Sequence, residues 1–338
     1  MRRFAPAALL AAALTSACGD SPNGPTPPPP VEGPRISCPA NQTVQTTAAS
    51  ARVSYPLPTT TGGTAPVAVA CTPPSDSLFP GGTSTATCTA TDARQQTASC
   101  TFTVTVQVVS LLAATRFLAF GDSITEGILP TGEVTPTPYP AGLRSRLSAR
   151  YSMQQFVVTN AGRGGEQTVD GVNRLPGLLT ANNPEVVLLF EGVNDLAGGE
   201  ASRIPVVVNN LRTMIQTARG RGAQVFLATL LPEIPGGRRT GAIALIVPAN
   251  DQIRALAASQ GVPLVDLYQA FIGMERVLIG DDGLHPNPAG YEKIADTFYE
   301  AIRARLEFPP SLTSFGVTGP PGISTLTFNG HATPARTY

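Results

Sequence analysis

Apolar and polar residues follow different periods in different parts of the chain. From Arg116 onward, short apolar runs alternate with segments in which apolar residues recur every three or four positions. Strands that alternate with helices in this way form parallel βαβ units. Strands are predicted at residues 116–120, 155–159, 185–190, 223–229 and 262–266. This part of the chain is therefore predicted to be an α/β domain with a parallel sheet.

Two predicted helices have the clearest apolar stripe. The first ends with Gly220 as its stop signal. The second runs from about Pro288 to Leu306, and its proline stands at the start, where a missing N–H is harmless. The stripes predict core positions at Ile204, Val207, Val208, Leu211, Met214, Ile215 and Ala218 in the first helix and at Tyr291, Ile294, Ala295, Phe298 and Ile302 in the second.

Residues 36–108 have a period of two instead of a helical period. Runs such as 51–55 and 101–106 alternate apolar and polar residues, and Gly, Pro and Asp turns separate them. This pattern predicts a small antiparallel β module. The module contains four cysteines that are candidates for disulfides, and four cysteines allow three pairings. These are Cys38, Cys71, Cys88 and Cys100.

The arrangement of these cysteines resembles the hyalin repeat. Cys38-Pro39, Phe79-Pro80-Gly81-Gly82, the segment 88–92 and the segment 99–102 carry the resemblance. It implies an all-β, immunoglobulin-like domain over residues 36–108. We favour a disulfide-stapled spacer as its role, and adhesion or substrate presentation is the alternative.

The N-terminus has the features of an export signal. Arg2 and Arg3 precede an apolar run from residue 4 to residue 14, which is too short to cross a bilayer. The segment Leu14-Thr15-Ser16-Ala17-Cys18 resembles a bacterial lipobox, although Thr15 stands where Leu is usual. We expect a signal peptide at 1–17, a lipidated Cys18 and a location at the bacterial cell envelope through this lipid anchor only. Cleavage after Ala17 without lipid is the alternative.

Composition indicates a linker before the β module and excludes recruitment of nucleic acid by net charge. Residues 18–35 are rich in proline and are expected to be an extended linker. Lys plus Arg and Asp plus Glu both number 23, so no net charge would attract nucleic acid. A length of 338 residues fits a catalytic domain at 113–308 beside the β module. The tail, residues 309–338, loses periodicity, and neither a role for it nor an oligomeric state is indicated.

Polar segments that could carry chemistry follow three of the predicted strands. They are Gly121-Asp122-Ser123-Ile124-Thr125-Glu126-Gly127, the segment 160–168 and Gly192-Val193-Asn194-Asp195. Ligands bind at this edge of an open α/β sheet. A fourth segment, Asp282-Gly283-Leu284-His285-Pro286, holds one of the two histidines of the chain, and the other is His331 in the tail.

These four segments, in this order, resemble the motif blocks of the SGNH, or GDSL, hydrolases. The resemblance covers about residues 115–306 and implies a flavodoxin-like, three-layer αβα fold. It assigns Ser123 as nucleophile, His285 as general base and Asp282 as the group that orients the base. The oxyanion hole would consist of Ser123, Gly165 and Asn194. We expect Asp282 to pull the pKa of His285 upward, with an apparent value of about 6 to 7.

The predicted reaction is hydrolysis of carboxylic esters through an acyl-enzyme, without a cofactor and without a metal. Short-chain acyl or acetyl esters are favoured, on small molecules or on extracellular polysaccharide, with residues 128–138 as the specificity loop. Lysophospholipase or thioesterase activity is an alternative within the same family. The alternative from another class is a surface adhesin whose hydrolase-like domain is inactive.

Overall fold

The computed structural model describes residues 32–308, 314–318 and 325–329. The predicted signal peptide, Cys18 and most of the proline-rich linker lie outside these residues. The chain divides into two compact units, and the boundary between them runs through the β module. One unit comprises the residues up to Pro39, Pro56–Pro74 and Ala86–Phe102, and the other comprises Ala40–Tyr55, Ser75–Thr85 and the residues from Thr103 onward.

The β module consists of strands, as its period of two predicts. A four-stranded sheet has the order β2-β8-β7-β5, and β1 pairs with β4 and β3 with β6. Strand β2 is parallel to β8, whereas the sequence pattern predicted an antiparallel module. The strands are β1 (Pro34–Ser37), β2 (Gln42–Thr46), β3 (Ser50–Val53), β4 (Thr59–Gly62), β5 (Ala68–Thr72), β6 (Ser77–Pro80), β7 (Gly82–Thr91) and β8 (Thr97–Val108).

Two disulfide bonds join the four cysteines of the module. Cys38 pairs with Cys100, and Cys71 pairs with Cys88. The second pair follows from strand register, because Cys71 on β5 lies opposite Cys88 on β7. This selects one of the three pairings that the sequence left open. Disulfides form and persist in oxidising compartments, so they indicate an exported protein.

A five-stranded parallel sheet forms the centre of the following domain. Its order is β11-β10-β12-β13-β14, which in chain order is second, first, third, fourth, fifth, as in flavodoxin-like folds. The predicted α/β fold is therefore confirmed. The strands are β10 (Arg116–Gly121), β11 (Val157–Gly162), β12 (Val186–Phe190), β13 (Gln224–Ala228) and β14 (Leu264–Val265).

Helices pack on this sheet in two groups, α2 with α9 and α3 with α5 and α6. The stripes predicted for α5 and α9 are buried, because their spacing of three and four places them along one side of each helix. Asn287 caps α9 by accepting from the Gly290 N–H at 3.0 Å. The helices are α1 (Ser123–Glu126), α2 (Tyr139–Arg150), α3 (Thr168–Asn182), α4 (Val193–Leu196), a 3₁₀ turn (Ala201–Arg203), α5 (Ile204–Gly220), α6 (Ile243–Gln260), α7 (Leu267–Phe271), α8 (Glu275–Leu278) and α9 (Pro288–Leu306).

Strand boundaries differ from the prediction where pairing overrides the apolar pattern. Strand β11 continues to Gly162 because it pairs with β10 up to Gly121. Strand β14 is short because it pairs only with Leu227 and Ala228 of β13. Short strands outside the main sheets are β9 (Leu111–Leu112), which pairs with β15 (Glu307–Phe308), and the hairpin of β16 (Ser314–Thr318) and β17 (Thr325–Asn329) in the tail. Within the described residues, no helix combines the length and the apolar character needed to cross a membrane.

Candidate active site

Glycines at the ends of β10 and β11 let neighbouring main-chain segments pack closely against the strands, at the edge of the sheet where the polar segments meet. Strand order reverses between β10 and β12, and ligands of open α/β sheets bind at such a point. A Cβ added to Gly121 would lie 1.9 Å from the carbonyl oxygen of Phe190, and one added to Gly162 would lie 1.9 Å from the backbone nitrogen of Glu126. Side chains are therefore excluded at both positions.

Ser123 is the first residue of α1, directly after β10. Asp122 caps this helix, and its Oδ1 accepts from the Ile124 N–H at 2.9 Å. The N–H of Ser123 has no partner within the helix, because it belongs to the first turn. Ser123 is only 6% exposed. Burial, together with the nearby Glu166 and Asp195, raises the pKa of Asp122 to about 7.

The structure brings Ser123, His285 and Asp282 together in one hydrogen-bonded chain. His285 Nε2 is 3.0 Å from Ser123 Oγ, and His285 Nδ1 is 2.6 Å from Asp282 Oδ2. The other oxygen of Asp282 accepts from the backbone N–H of Leu284 at 3.1 Å and of His285 at 2.9 Å. Because Asp282 lies three residues before His285 in a turn, its carboxylate contacts both the backbone N–H and the ring of the histidine. This is the geometry of a nucleophile, a base and an orienting carboxylate.

Burial outweighs the neighbouring carboxylate at His285. Desolvation lowers the pKa of His285, and Asp282 opposes this shift without reversing it. Asp282 therefore pulls the pKa of His285 upward as expected, but the net shift is downward because burial outweighs this pull. Burial alone would raise the pKa of Asp282, but its hydrogen bonds from His285 and Leu284 outweigh burial and lower it.

An arginine that the sequence did not single out lies beside this carboxylate. Arg239 Nε is 3.8 Å from Asp282 Oδ2, and the Arg239 side chain is 57% exposed. Its loop is attached to the Asp282 turn, since the Arg239 N–H donates to the Asp282 carbonyl at 2.9 Å. Arg238, in the same loop, donates to the Pro130 carbonyl in the predicted specificity loop. Both arginines lower the pKa of His285 further. In the sequence, the signal for these two residues is limited to an Arg-Arg pair in an aperiodic loop after a predicted strand.

The expected oxyanion donors lie on two adjacent loops. Gly165 has a φ of +74°, which favours glycine, and nothing lies within 4 Å of the position of a Cβ there. Asn194 lies in α4, after β12, and its Nδ2 donates to the Glu166 carbonyl at 3.0 Å. The amide of Asn194 is thus fixed beside the Gly165 loop.

Asp195, next to Asn194, joins the second and third polar segments. Its carboxylate accepts from the Thr168 N–H and from the Thr168 hydroxyl, both at 2.8 Å. Arg203 lies 3.8 Å from the same group. The sequence placed Asp195 in a motif but gave it no role, and the structure shows that it anchors the start of α3.

Other features do not add to this site. Among the described residues, no group of three or more His, Cys, Asp or Glu side chains could hold a metal ion. A surface cavity of about 310 Å³ lies at the opposite end of the strands, beside Arg219 and Arg305. Because its lining contains neither a nucleophile nor a base, it is not the reaction centre.

Two family models match parts of the chain, and known proteins resemble its hydrolase domain. Residues 119–293 match the GDSL-like Lipase/Acylhydrolase family, and residues 30–106 match the HYR domain. The chain is 30% identical over 186 residues to "Arylesterase" of Vibrio mimicus, covering 54% of this chain and 86% of that protein. It is also 30% identical over 186 residues to "Thioesterase 1/protease 1/lysophospholipase L1" of Escherichia coli (strain K12), covering 54% of this chain and 81% of that protein. The crystal structure of a lipase/acylhydrolase from Enterococcus faecalis aligns with a TM-score of 0.49 and 28% identity, covering 58% of this chain and 98% of that one.

Proposed function

Because the chain belongs to the GDSL-like lipase/acylhydrolase family, we propose that it hydrolyses carboxylic esters through an acyl-enzyme on Ser123. The chain is a carboxylic ester hydrolase, and the proposal concerns which residues act and on which esters. The observation that carries it is the hydrogen-bonded chain from Ser123 Oγ through His285 to Asp282. This chain lies at the sheet edge where ligands bind.

In the first half-reaction, His285 Nε2 takes the proton of Ser123 Oγ as the oxygen attacks the acyl carbonyl. The distance of 3.0 Å between these atoms is within reach of direct proton transfer. Asp282 holds the proton on Nδ1 and stabilises the imidazolium that forms. His285 then protonates the departing alcohol, and in the second half-reaction it activates a water molecule that releases the acid.

The negative charge on the carbonyl oxygen would be bound by the N–H groups of Ser123 and Gly165 and by Asn194 Nδ2. These donors act on charge that develops only in the transition state, so they lower the barrier rather than strengthen substrate binding. The hydrogen bond from Asn194 to the Glu166 carbonyl supports this role because it holds the amide in place before substrate arrives.

Short-chain acyl or acetyl esters, on small molecules or polysaccharide, are the proposed substrates. The name of the Vibrio mimicus relative, an arylesterase, supports a small ester. The loop at 128–138 contains no aromatic residue that could stack on a sugar ring. It is held to the core by Tyr291 Oη, which donates to the Ile128 carbonyl at 2.5 Å. The name of the Escherichia coli relative favours lysophospholipase or thioesterase activity as the second candidate.

A substrate panel tests the proposal. We would measure kcat/KM for aryl esters of graded chain length, acetylated xylan, a lysophospholipid and an acyl thioester with the full chain. Highest activity on acetyl and other short esters supports the first candidate. A preference for long acyl chains favours the second. Activity that survives in Ser123→Ala would refute the proposed mechanism.

An exported location is indicated by the disulfides, and we propose a lipid anchor at Cys18 on the basis of the lipobox-like segment that ends there. Cys18→Ser should abolish metabolic labelling with a radioactive fatty acid and release the protein from the membrane fraction. Unchanged fractionation of this variant would contradict the anchor.

The alternative of a surface adhesin with an inactive hydrolase-like domain is tested by the same substrate panel, because this alternative predicts no hydrolysis.

A further inference from the structure

Two buried carboxyl groups lie behind the proposed oxyanion hole and have no part in the mechanism above. Glu166 directly follows Gly165, and Glu191 directly precedes the segment that contains Asn194. Glu166 is 4% exposed and Glu191 is 1% exposed. A buried carboxylate is strongly destabilising unless it is paired or protonated. Their position beside two of the expected donors therefore needs an explanation.

The side chain of Glu166 is held by Arg174 of α3. Arg174 Nη2 is 2.8 Å and Arg174 Nε is 3.0 Å from Glu166 Oε1. The same guanidinium donates to the Ala161 carbonyl at 3.0 Å and lies 4.3 Å from the centre of the Phe120 ring. Arg174 thus links the Glu166 carboxylate to residues near the ends of β10 and β11.

The backbone of Glu166 connects the two oxyanion loops. Its carbonyl accepts from Asn194 Nδ2 at 3.0 Å, and its N–H donates to the Arg163 carbonyl at 3.2 Å. Gly165, whose N–H is one of the expected donors, is the residue directly before Glu166. A shift of Glu166 would therefore move both the Gly165 N–H and the Asn194 amide.

Glu191 has no cation of its own. Among the described residues, no N–H or hydroxyl group donates to either oxygen of Glu191, and the side chain that shares a hydrogen bond with its carboxyl is that of Glu166. Two facing carboxyl groups can form a hydrogen bond only if one of them carries a proton. Burial, together with the charges of Asp122 and Glu166, raises the pKa of Glu191 far above its usual range. Glu191 is therefore the protonated partner.

We infer that Glu166, held by Arg174, is a positioning residue of the oxyanion hole and that Glu191 donates the hydrogen bond that holds its side chain. This inference rests on the oxyanion roles proposed for Gly165 and Asn194. It predicts an asymmetry between two adjacent residues of the same type. Glutamine, a neutral donor, can replace Glu191, but it cannot replace the charge that Glu166 presents to Arg174.

The experiment compares Glu166→Gln, Glu191→Gln and Glu191→Met in the full chain on one aryl ester. Glu166→Gln and Glu191→Met should each lower kcat about 10-fold or more while KM changes less than about threefold, because transition-state donors are misplaced. Glu191→Gln should keep kcat within about threefold of the wild type. Rates are expressed per site labelled by a fluorophosphonate, so a smaller folded fraction does not count as a lower kcat.

A second readout is the binding of an aryl boronic acid, which forms a tetrahedral anion on the serine. Its affinity should fall by about the same factor as kcat in Glu166→Gln and Glu191→Met. The control is Glu185→Gln at the opposite edge of the sheet, where Glu185 accepts from the N–H groups of Thr115 and Arg116. This control should lower the melting temperature without changing kcat per labelled site.

Wild-type kcat in Glu166→Gln and Glu191→Met, or equal losses in Glu191→Gln and Glu191→Met, would overturn the inference. If Glu166→Gln does not fold, the two Glu191 variants decide. Failure of the proposed function has a different signature, since wild-type Ser123 would then resist the fluorophosphonate or Ser123→Ala would remain active.

Discussion

A buried aspartate in the β module and one in the hydrolase domain do different things with similar contacts. Asp92 accepts the N–H groups of Thr64, Arg94 and Gln96, each at 2.9 Å, and thereby closes a turn. Asp282 accepts two backbone N–H groups on one oxygen but offers the other to the ring of His285. Asp92 therefore serves structure, because only backbone groups bind it, whereas the contact of Asp282 with the ring of His285 suits it to the proposed chemistry.

The two regions also differ in how they are held together. The β module has two disulfides and strands such as β8 that are only partly buried, whereas all five residues of β12 in the hydrolase sheet are buried. Covalent cross-links compensate for a small core in the first region, and apolar burial suffices in the second. Changes in the module should therefore affect its stability, and changes at the sheet edge should affect the reaction.

The largest expected effect is the loss of the nucleophile. Ser123→Ala should lower kcat by at least about 10⁵-fold, because removing the serine from a triad removes the covalent step. Ser99→Ala in the β module is the matched control and should retain full activity. The measurement is initial rates on an aryl ester together with fluorophosphonate labelling. A labelled, active Ser123→Ala protein would refute the assignment.

The two aspartates give the next comparison. Asp282→Asn should lower kcat by up to about 10⁴-fold, because an amide stabilises neither the imidazolium nor the required tautomer. His285→Ala should be at least as damaging. Asp92→Asn should leave kcat unchanged and lower the melting temperature. If Asp92→Asn reduced activity as much as Asp282→Asn, the contrast between the two residues would be wrong.

Asn194→Ala should lower kcat by about 100-fold to 1,000-fold with little change in KM, because one oxyanion donor is lost. Asn41→Ala in the β module, where Asn41 accepts from the Thr103 N–H, is the control and should not change kcat. A rise in KM without a fall in kcat would make Asn194 a residue that binds the ground state.

A smaller effect is expected on the pH profile. His285 must be neutral to accept the serine proton, and burial lowers its pKa, so the acidic limb of kcat/KM should lie below its ordinary value of 6.5. Arg239→Gln removes a nearby positive charge and should move this limb to higher pH. The shift should be about half a unit or less, because an exposed charge is screened. High salt should reduce the difference, and a shift to lower pH would contradict the role of Arg239.

Removing the disulfides should change activity least. Reduction should leave kcat on an aryl ester within about twofold while destabilising the β module. By loop closure, the Cys38–Cys100 bond, with a separation of 62 residues, contributes about 4 kcal/mol, and the Cys71–Cys88 bond, with a separation of 17, contributes about 3 kcal/mol. Calorimetry of the two double Cys→Ser variants checks the order. Loss of hydrolysis in a folded, reduced protein would show that the module contributes to the site.

Local patterns predicted the parts of the molecule that depend on local rules. The apolar stripe predicted α9 from about Pro288 to Leu306, and the resemblance to the SGNH motif blocks led to Ser123 and His285, which are 162 positions apart and meet in the structure. Contacts between distant loops follow no such rule. Nothing periodic in the loop around Arg239 indicates that it reaches Asp282.

Burial of charged residues was the other quantity that the sequence could not supply. Glu166 and Glu191 stand among polar and glycine residues, where a glutamate is usually exposed. Their burial depends on tertiary contacts at the ends of the strands, among them the contact of Glu166 with Arg174 of α3. The net shift of the His285 pKa could not be predicted for the same reason, since desolvation depends on the packed surroundings rather than on the neighbouring aspartate.

The paired glycines Gly121 and Gly162 have a consequence for the evolution of this enzyme. They stand opposite each other at the ends of β10 and β11, and α1 rests directly on the strand backbone there. Ser123, the proposed nucleophile, is therefore placed by contact between main-chain atoms, with no intervening side chain whose size could change. The loop that contains Arg239 is bonded to the Asp282 turn, so changes there would reach the proposed base as well. Side chains of the loop at 128–138 are therefore the place to begin redesigning specificity.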